Sequence, residues 1–196
     1  MIQQFLKSFP AEERRITLAT LCTILRIFLV PCIVAAMFYH SWGLAWGLLA
    51  VALLTDIADG MLARLRNERT ILGACLDPIA DKFLLIACFV TLASIETSLY
   101  AIPIWLVLLV LIKELLILVG TGAMYAIKGF IHFRPTFLAK AAGGMQLLFI
   151  AWLMCCQYLN RISLPVYNSF LVIVACMVVA VFIQYLITGI RLLQNR

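Results

Sequence analysis

Histidine and charge are what this sequence has least of. Its two histidines, His40 and His132, fall at separate helix ends with no second ligand type beside them, so a histidine metal site is not expected. The seven cysteines (Cys22, Cys32, Cys75, Cys88, Cys155, Cys156 and Cys176) form no C-x-x-C pair and lie mostly inside apolar runs. They read as small packing residues, not as a disulfide frame or a zinc site. Charged residues make up 12% of the chain against 65% hydrophobic, and the mean hydropathy is +1.10. A water-soluble domain of 196 residues cannot enclose that much apolar side chain, so the surplus has to face lipid. Long linkers, low-complexity tracts and repeats are also missing. No cleavable signal peptide is expected, because the opening MIQQFLKSFPAEERRI has too short an apolar patch and carries charge after it.

What remains is a series of six apolar stretches, at about 16–39, 43–64, 71–95, 101–126, 137–159 and 166–190. A helix of about 20 residues spans a bilayer. The expectation is therefore an all-α integral membrane protein: one domain over 1–196, a bundle of six transmembrane helices. A short N-terminal interfacial helix is expected within 1–15, where Ile2, Phe5, Leu6 and Phe9 recur at helical spacing before Pro10 ends the pattern. The net charge of +6 sorts by membrane side. Eleven basic residues (Lys7, Arg14, Arg15, Arg64, Arg66, Arg69, Lys128, Arg134, Lys140, Arg191 and Arg196) flank one side, and Arg161 alone flanks the other. That asymmetry predicts cytoplasmic termini and a cytoplasmic loop after the second helix, and it accounts for the basic balance without nucleic acid.

Four acidic residues sit where lipid would penalise them. Asp56, Asp59, Asp77 and Asp81 lie within or beside the second and third stretches. Each carboxylate costs about 2.5–3.5 kcal/mol on insertion scales, so four together need a compensating reason. Asp56 and Asp59 are three apart and Asp77 and Asp81 four apart, so each pair shares a helix face. With the turn running from Arg64 to Thr70, Asp59 comes level with Asp77 and Asp56 with Asp81. Such a cluster needs cations, since like charges oppose one another's ionisation. Oxygen ligands without His or Cys point to Mg²⁺ or Mn²⁺. Two ions on shared carboxylates suit displacement at a phosphate, where they clamp the attacking and leaving oxygens. Gly60 and Gly73 either leave room beside the acids or serve close helix packing, Ala63 keeps the face small, and Arg64 is placed for a phosphate. Thr70 either hydrogen-bonds a nucleotide or caps the third helix.

These residues spell D-x-x-D-G-x-x-A-R-x8-G-x3-D-x3-D from Asp56 to Asp81, which resembles the full signature of the CDP-alcohol phosphotransferase family. The resemblance implies a six-helix membrane fold over nearly the whole chain, usually a homodimer, with a polar cavity facing the cytoplasm. The cell inner membrane or its equivalent is the implied location. By similarity Asp56, Asp59, Asp77 and Asp81 would bind two divalent ions, and Gly60, Ala63, Arg64, Thr70 and Gly73 would hold the cytidine diphosphate. Asp81 would also be the general base, taking the acceptor hydroxyl's proton as CMP leaves.

For the acceptor, Leu76 to Lys82 (LDPIADK) and Thr20 to Arg26 (TLCTILR) resemble the phosphatidylglycerophosphate synthase branch, which joins CDP-diacylglycerol to glycerol 3-phosphate. Thr20 and Thr23 are thereby expected toward the nucleotide, although Thr20 stands where that branch usually has asparagine. Lys113 with Glu114 replaces a usual Arg-Glu, and Lys140 and Gln146 match part of a later pattern. Lys113, Arg134 and Lys140 are candidates for the acceptor phosphate, with pairing to Glu114 the plainer role of Lys113. Arg26, deep in the first helix, is expected on a ligand phosphate or on the acidic cluster. The stretch from Phe133 to Lys140 resembles cardiolipin synthases, which use phosphatidylglycerol as acceptor. A divalent-cation transporter is the alternative of another class, but the acids gather on one side only, with no second acidic ring.

Overall fold

The computed structural model describes residues 18–66, 71–95, 102–128 and 136–194, with side chains over 23–56, 79–95, 102–120 and 136–188. Segment 1–15, Thr70 and Arg134 lie outside the described residues. Six α-helices and no strand occur among those described: α1 (Leu18–Phe38), α2 (Trp42–Arg66), α3 (Ile71–Ser94), α4 (Ile104–Lys128), α5 (Phe137–Leu159) and α6 (Leu164–Gln194). Each overlies one of the six apolar stretches.

Local chemistry sets the helix ends. His40 takes a left-handed conformation (φ 53°) after α1, and its N–H and that of Ser41 return to the carbonyls of Met37 and Ala36. Asn160 repeats the device after α5 at φ 51°, with Arg161 N–H reaching the Cys156 carbonyl at 3.1 Å. In both cases the last helical carbonyls gain donors that the helix itself cannot supply. Thr136 caps the start of α5, its Oγ1 accepting from the Ala139 N–H at 3.4 Å. Pro165 occupies the first turn of α6, where its missing N–H costs nothing.

Two compact units divide the chain at Cys88 and Phe89. In the first, Met1–Cys88, α1 and α2 form an antiparallel pair. The buried positions of α1 include Thr23, Arg26, Val30, Ile33 and Met37, spaced three and four apart, with Ala36 beside the last of them. Those of α2 are Ala45, Leu49 and Ala52, and Asp56 continues their spacing. This is the seam of two helices packed ridge into groove, with a charged residue on each side where the apolar run stops.

The second unit, Phe89–Arg196, packs α4 and α5 against α6. Leu106, Val110 and Lys113 line α4, Ala142, Gln146, Phe149 and Leu153 line α5, and Val174, Val178 and Val181 line α6. Phe149 is fully enclosed, with ring centroids of Phe89, Tyr167 and Phe170 at 6.4, 6.3 and 5.9 Å. Such aromatic contacts add to the area they bury. Helix α5 and Leu164–Thr188 of α6 are long and apolar enough to cross a membrane, judged over the described residues.

Candidate active site

Arg26 is the pivot of the first unit's polar chemistry. It sits on the buried stripe of α1 and is 1% exposed. Its Nη1 donates to Asp81 Oδ1 on α3 at 2.7 Å, and its Nη2 lies 2.7 Å from Asp56 Oδ1 on α2. One planar guanidinium thus joins three helices, and the first and last carboxylates of the motif, 25 residues apart in sequence, lie within its span. The acids themselves stay open: Asp56 and Asp81 keep 45% and 43% of their side-chain surface. A group approaching from solvent therefore meets carboxylate oxygen first.

The other motif residues are located by their backbone. Asp59, Gly60, Ala63 and Arg64 follow Asp56 on α2, and Gly73 and Asp77 precede Asp81 on α3, all in helical conformation. Their side chains, like that of Thr20 on α1, lie outside the described set. Asp59 is one turn beyond Asp56, and Asp77 one turn before Asp81. Among described side chains no group of three His, Cys, Asp or Glu gathers. Thr23, expected toward the nucleotide, is fully enclosed three residues before Arg26 on the same stripe.

Of the expected acceptor cations, Lys113 and Lys140 have described side chains. Lys113 is 1% exposed in α4, its Nζ 2.6 Å from Glu114 Oε1 and donating to Gln146 Oε1 at 3.0 Å. Glu114 and Gln146 are themselves 5% and 0% exposed. Lys140 stands exposed in the first turn of α5, six residues before Gln146. Lys113 thus adopts the pairing with Glu114 weighed from sequence, and Arg26 adopts the acidic cluster.

One feature had no place in the sequence reading, and another entered it only through a partial pattern match. Thr136 Oγ1 donates to Gln184 Oε1 at 3.1 Å while accepting from Ala139, so the start of α5 is tied to α6 through one hydroxyl. Threonine just after Pro135 and before an apolar run was a readable helix-start signal, but its partner 48 residues on was not. Gln146 is the other: its Oε1 accepts from Lys113 Nζ while its Nε2 is buried with no hydrogen-bond partner among the described residues. A glutamine within an otherwise apolar run was the available cue.

Residues 16–185 match the CDP-alcohol phosphatidyltransferase family. A probable phosphatidylglycerophosphate synthase of Mycobacterium tuberculosis is 37% identical over 110 residues, which cover 53% of this chain and 51% of that one. The CMP-forming cardiolipin synthase of Homo sapiens is 27% identical over 168 residues, covering 78% of this chain and 52% of the other. A putative cardiolipin synthase of Mycobacterium tuberculosis is 31% identical over 134 residues, at 67% and 61% coverage. The chain spans about half the length of the first two of these curated relatives.

Proposed function

The chain belongs to the CDP-alcohol phosphatidyltransferase family, and from that footing we propose that it moves the phosphatidyl group of CDP-diacylglycerol onto glycerol 3-phosphate. The products are phosphatidylglycerophosphate and CMP. One observation carries the reading: Asp56 and Asp81, from opposite ends of the motif, converge on Arg26 with their oxygens still open to solvent. In the reaction the acceptor hydroxyl oxygen forms a bond to the β-phosphorus of the donor, and the bond from that phosphorus to the CMP oxygen breaks. Asp81, at 43% exposure, is the base that takes the hydroxyl proton. Gly60, Ala63, Arg64, Thr70 and Gly73, with Thr20 of α1, hold the cytidine diphosphate, whereas Thr23 is enclosed in the helix seam and does not reach it. Arg64 contributes fixed positive charge to its phosphates.

The donor set fits divalent ions. Asp56 and Asp81 offer hard carboxylate oxygen, half-exposed and on converging helices, and the motif repeats that chemistry one turn away at Asp59 and Asp77. These four residues would hold two Mg²⁺ or Mn²⁺, whose charge offsets that building on the transferred phosphate.

Cardiolipin synthesis, with phosphatidylglycerol as acceptor, is the second reading. It is supported by the Phe133–Lys140 stretch and by the similarity to the human and mycobacterial enzymes. The two differ in charge at the acceptor. Glycerol 3-phosphate is largely a dianion near neutral pH and calls for the cations Lys140, Arg134 and Lys113, whereas phosphatidylglycerol brings a second pair of acyl chains. Purified protein given CDP-diacylglycerol, Mg²⁺ or Mn²⁺ and one acceptor at a time decides between them by CMP release and the lipid formed. Release with neither acceptor sinks both readings. Cation uptake into liposomes without any CDP-lipid favours a transporter instead.

The family is membrane-associated. We place all six helices across the bilayer, with both termini and the acidic pocket cytoplasmic and two copies forming a homodimer. Helices α5 and α6 meet the length requirement. Large apolar side chains such as Phe28, Leu54, Leu118 and Phe137 are 69%, 65%, 62% and 87% exposed, a surface better suited to lipid than to water.

A further inference from the structure

The acids of the motif already have a cation of their own. Arg26 is enclosed behind Asp56 and Asp81, 1% exposed where they are nearly half exposed, and it reaches Oδ1 of both at 2.7 Å. We propose that Arg26 is the resident counter-cation of the carboxylate site, and that divalent ions bind to Asp56 and Asp81 in competition with it. This rests on the metal-dependent reading of the site given above.

Two effects of such an arginine oppose each other. An outer hydrogen-bond partner that orients a ligand is worth about 10–100-fold in metal affinity. Against this, a unit positive charge about 5 Å from a divalent ion, one carboxylate away, repels it by more than that at an effective dielectric constant of about 20. The guanidinium is too deeply enclosed for salt to screen it well. Repulsion and competition for shared oxygens therefore outweigh orientation. Arg26 lowers the affinity of the site for metal while tying α1, α2 and α3 together, so ions exchange at a pocket whose walls stay in place.

The test is Mn²⁺ binding to the purified full-length protein in detergent, read from the electron paramagnetic resonance signal of free Mn²⁺. Arg26→Met should lower the Mn²⁺ dissociation constant at least tenfold. Arg26→Lys keeps the charge without the fork and should stay near wild type, a contrast that a purely structural role would not produce. Thermal unfolding checks that each variant is folded; if Arg26→Met is not, Arg26→Gln carries the same expectation. An Arg26→Met affinity that is unchanged or weaker, with Asp56→Asn still abolishing binding, overturns the role given to Arg26. Wild-type protein that binds no Mn²⁺, or binds it regardless of Asp56→Asn, overturns the metal reading beneath it.

Discussion

Replacing Lys113 with methionine tests the buried chemistry of α4 and α5 without touching the motif. Methionine approximates the length of the lysine stem, so the loss is mainly electrostatic. Glu114, 5% exposed, would lose the ammonium now 2.6 Å away, and Gln146 Oε1 would lose its donor at 3.0 Å. Breaking a buried pair from one side costs about 3–5 kcal/mol, because the other charge stays enclosed. A chain of about this size shifts its unfolding temperature by about 2–4 °C per kcal/mol, so Lys113→Met should melt roughly 6–20 °C lower in detergent. Adding Glu114→Met removes the stranded carboxylate. Apolar replacements of whole buried pairs are neutral or stabilising by about 1–4 kcal/mol, so the double variant should recover most of the loss. A single variant within about 1 kcal/mol of wild type, or a double variant worse than the single, refutes the buried-pair account. The acceptor role is read from the same proteins: a raised KM for glycerol 3-phosphate in the recovered double variant places Lys113 at the acceptor, and an unchanged KM removes it.

Three further outcomes are expected. Asp81→Asn should reduce CMP release about 10²–10⁴-fold, the usual worth of a general base, with donor binding by equilibrium dialysis retained; turnover like wild type disproves the assignment. Chelation with EDTA should stop CMP release, and either Mg²⁺ or Mn²⁺ should restore it, whereas activity that survives exhaustive chelation rules out the divalent ions. Thr136→Val removes the α5 cap and the bond to Gln184 together, and should cost about 1–2 kcal/mol in thermal unfolding. A melt indistinguishable from wild type would mean that neither bond holds the start of α5.

The six helices were legible because each apolar run has its own length and its own stops. His40 and Asn160 show how those stops work, through a left-handed residue that returns N–H groups to the helix end. The convergence of the acids was legible in part. Spacing put Asp56 level with Asp81 across the α2–α3 turn, and both are found on one guanidinium. For the cation between them, the sequence left Arg26 open to a ligand phosphate or to the acidic cluster, and spacing did not decide between the two. Arg26 lies 30 residues from Asp56 and 55 from Asp81, and periodicity within one helix says which face is buried but not which helix lies against it. The same limit hid the Lys113–Gln146 and Thr136–Gln184 bonds, at separations of 33 and 48 residues. Gln146 and Glu114 were visible as polar residues in apolar surroundings, yet their roles depend on tertiary packing.

The placement of Arg26 also explains how a helix pair can present a carboxylate at a fixed position. Met37, Ile33, Val30 and Arg26 descend α1 in step with Ala45, Leu49, Ala52 and Asp56 along α2. The apolar steps are chemically interchangeable, so by themselves they would tolerate a slip of one turn. The charged step would not. A slip in one direction sets Arg26 beside Ala52, and in the other it sets Asp56 beside Val30, stranding a charge on an apolar seam at a cost of several kcal/mol. Desolvation makes the ion pair a poor source of net stability, but it makes every wrong register worse, as a single polar residue does in a coiled-coil seam. Because Arg26 also binds Asp81, the register that satisfies it is the one that brings the acids of α2 and α3 together. Phosphoryl transfer of the proposed kind needs those oxygens within reach of one phosphate, and a seam of apolar residues alone would leave that spacing undetermined.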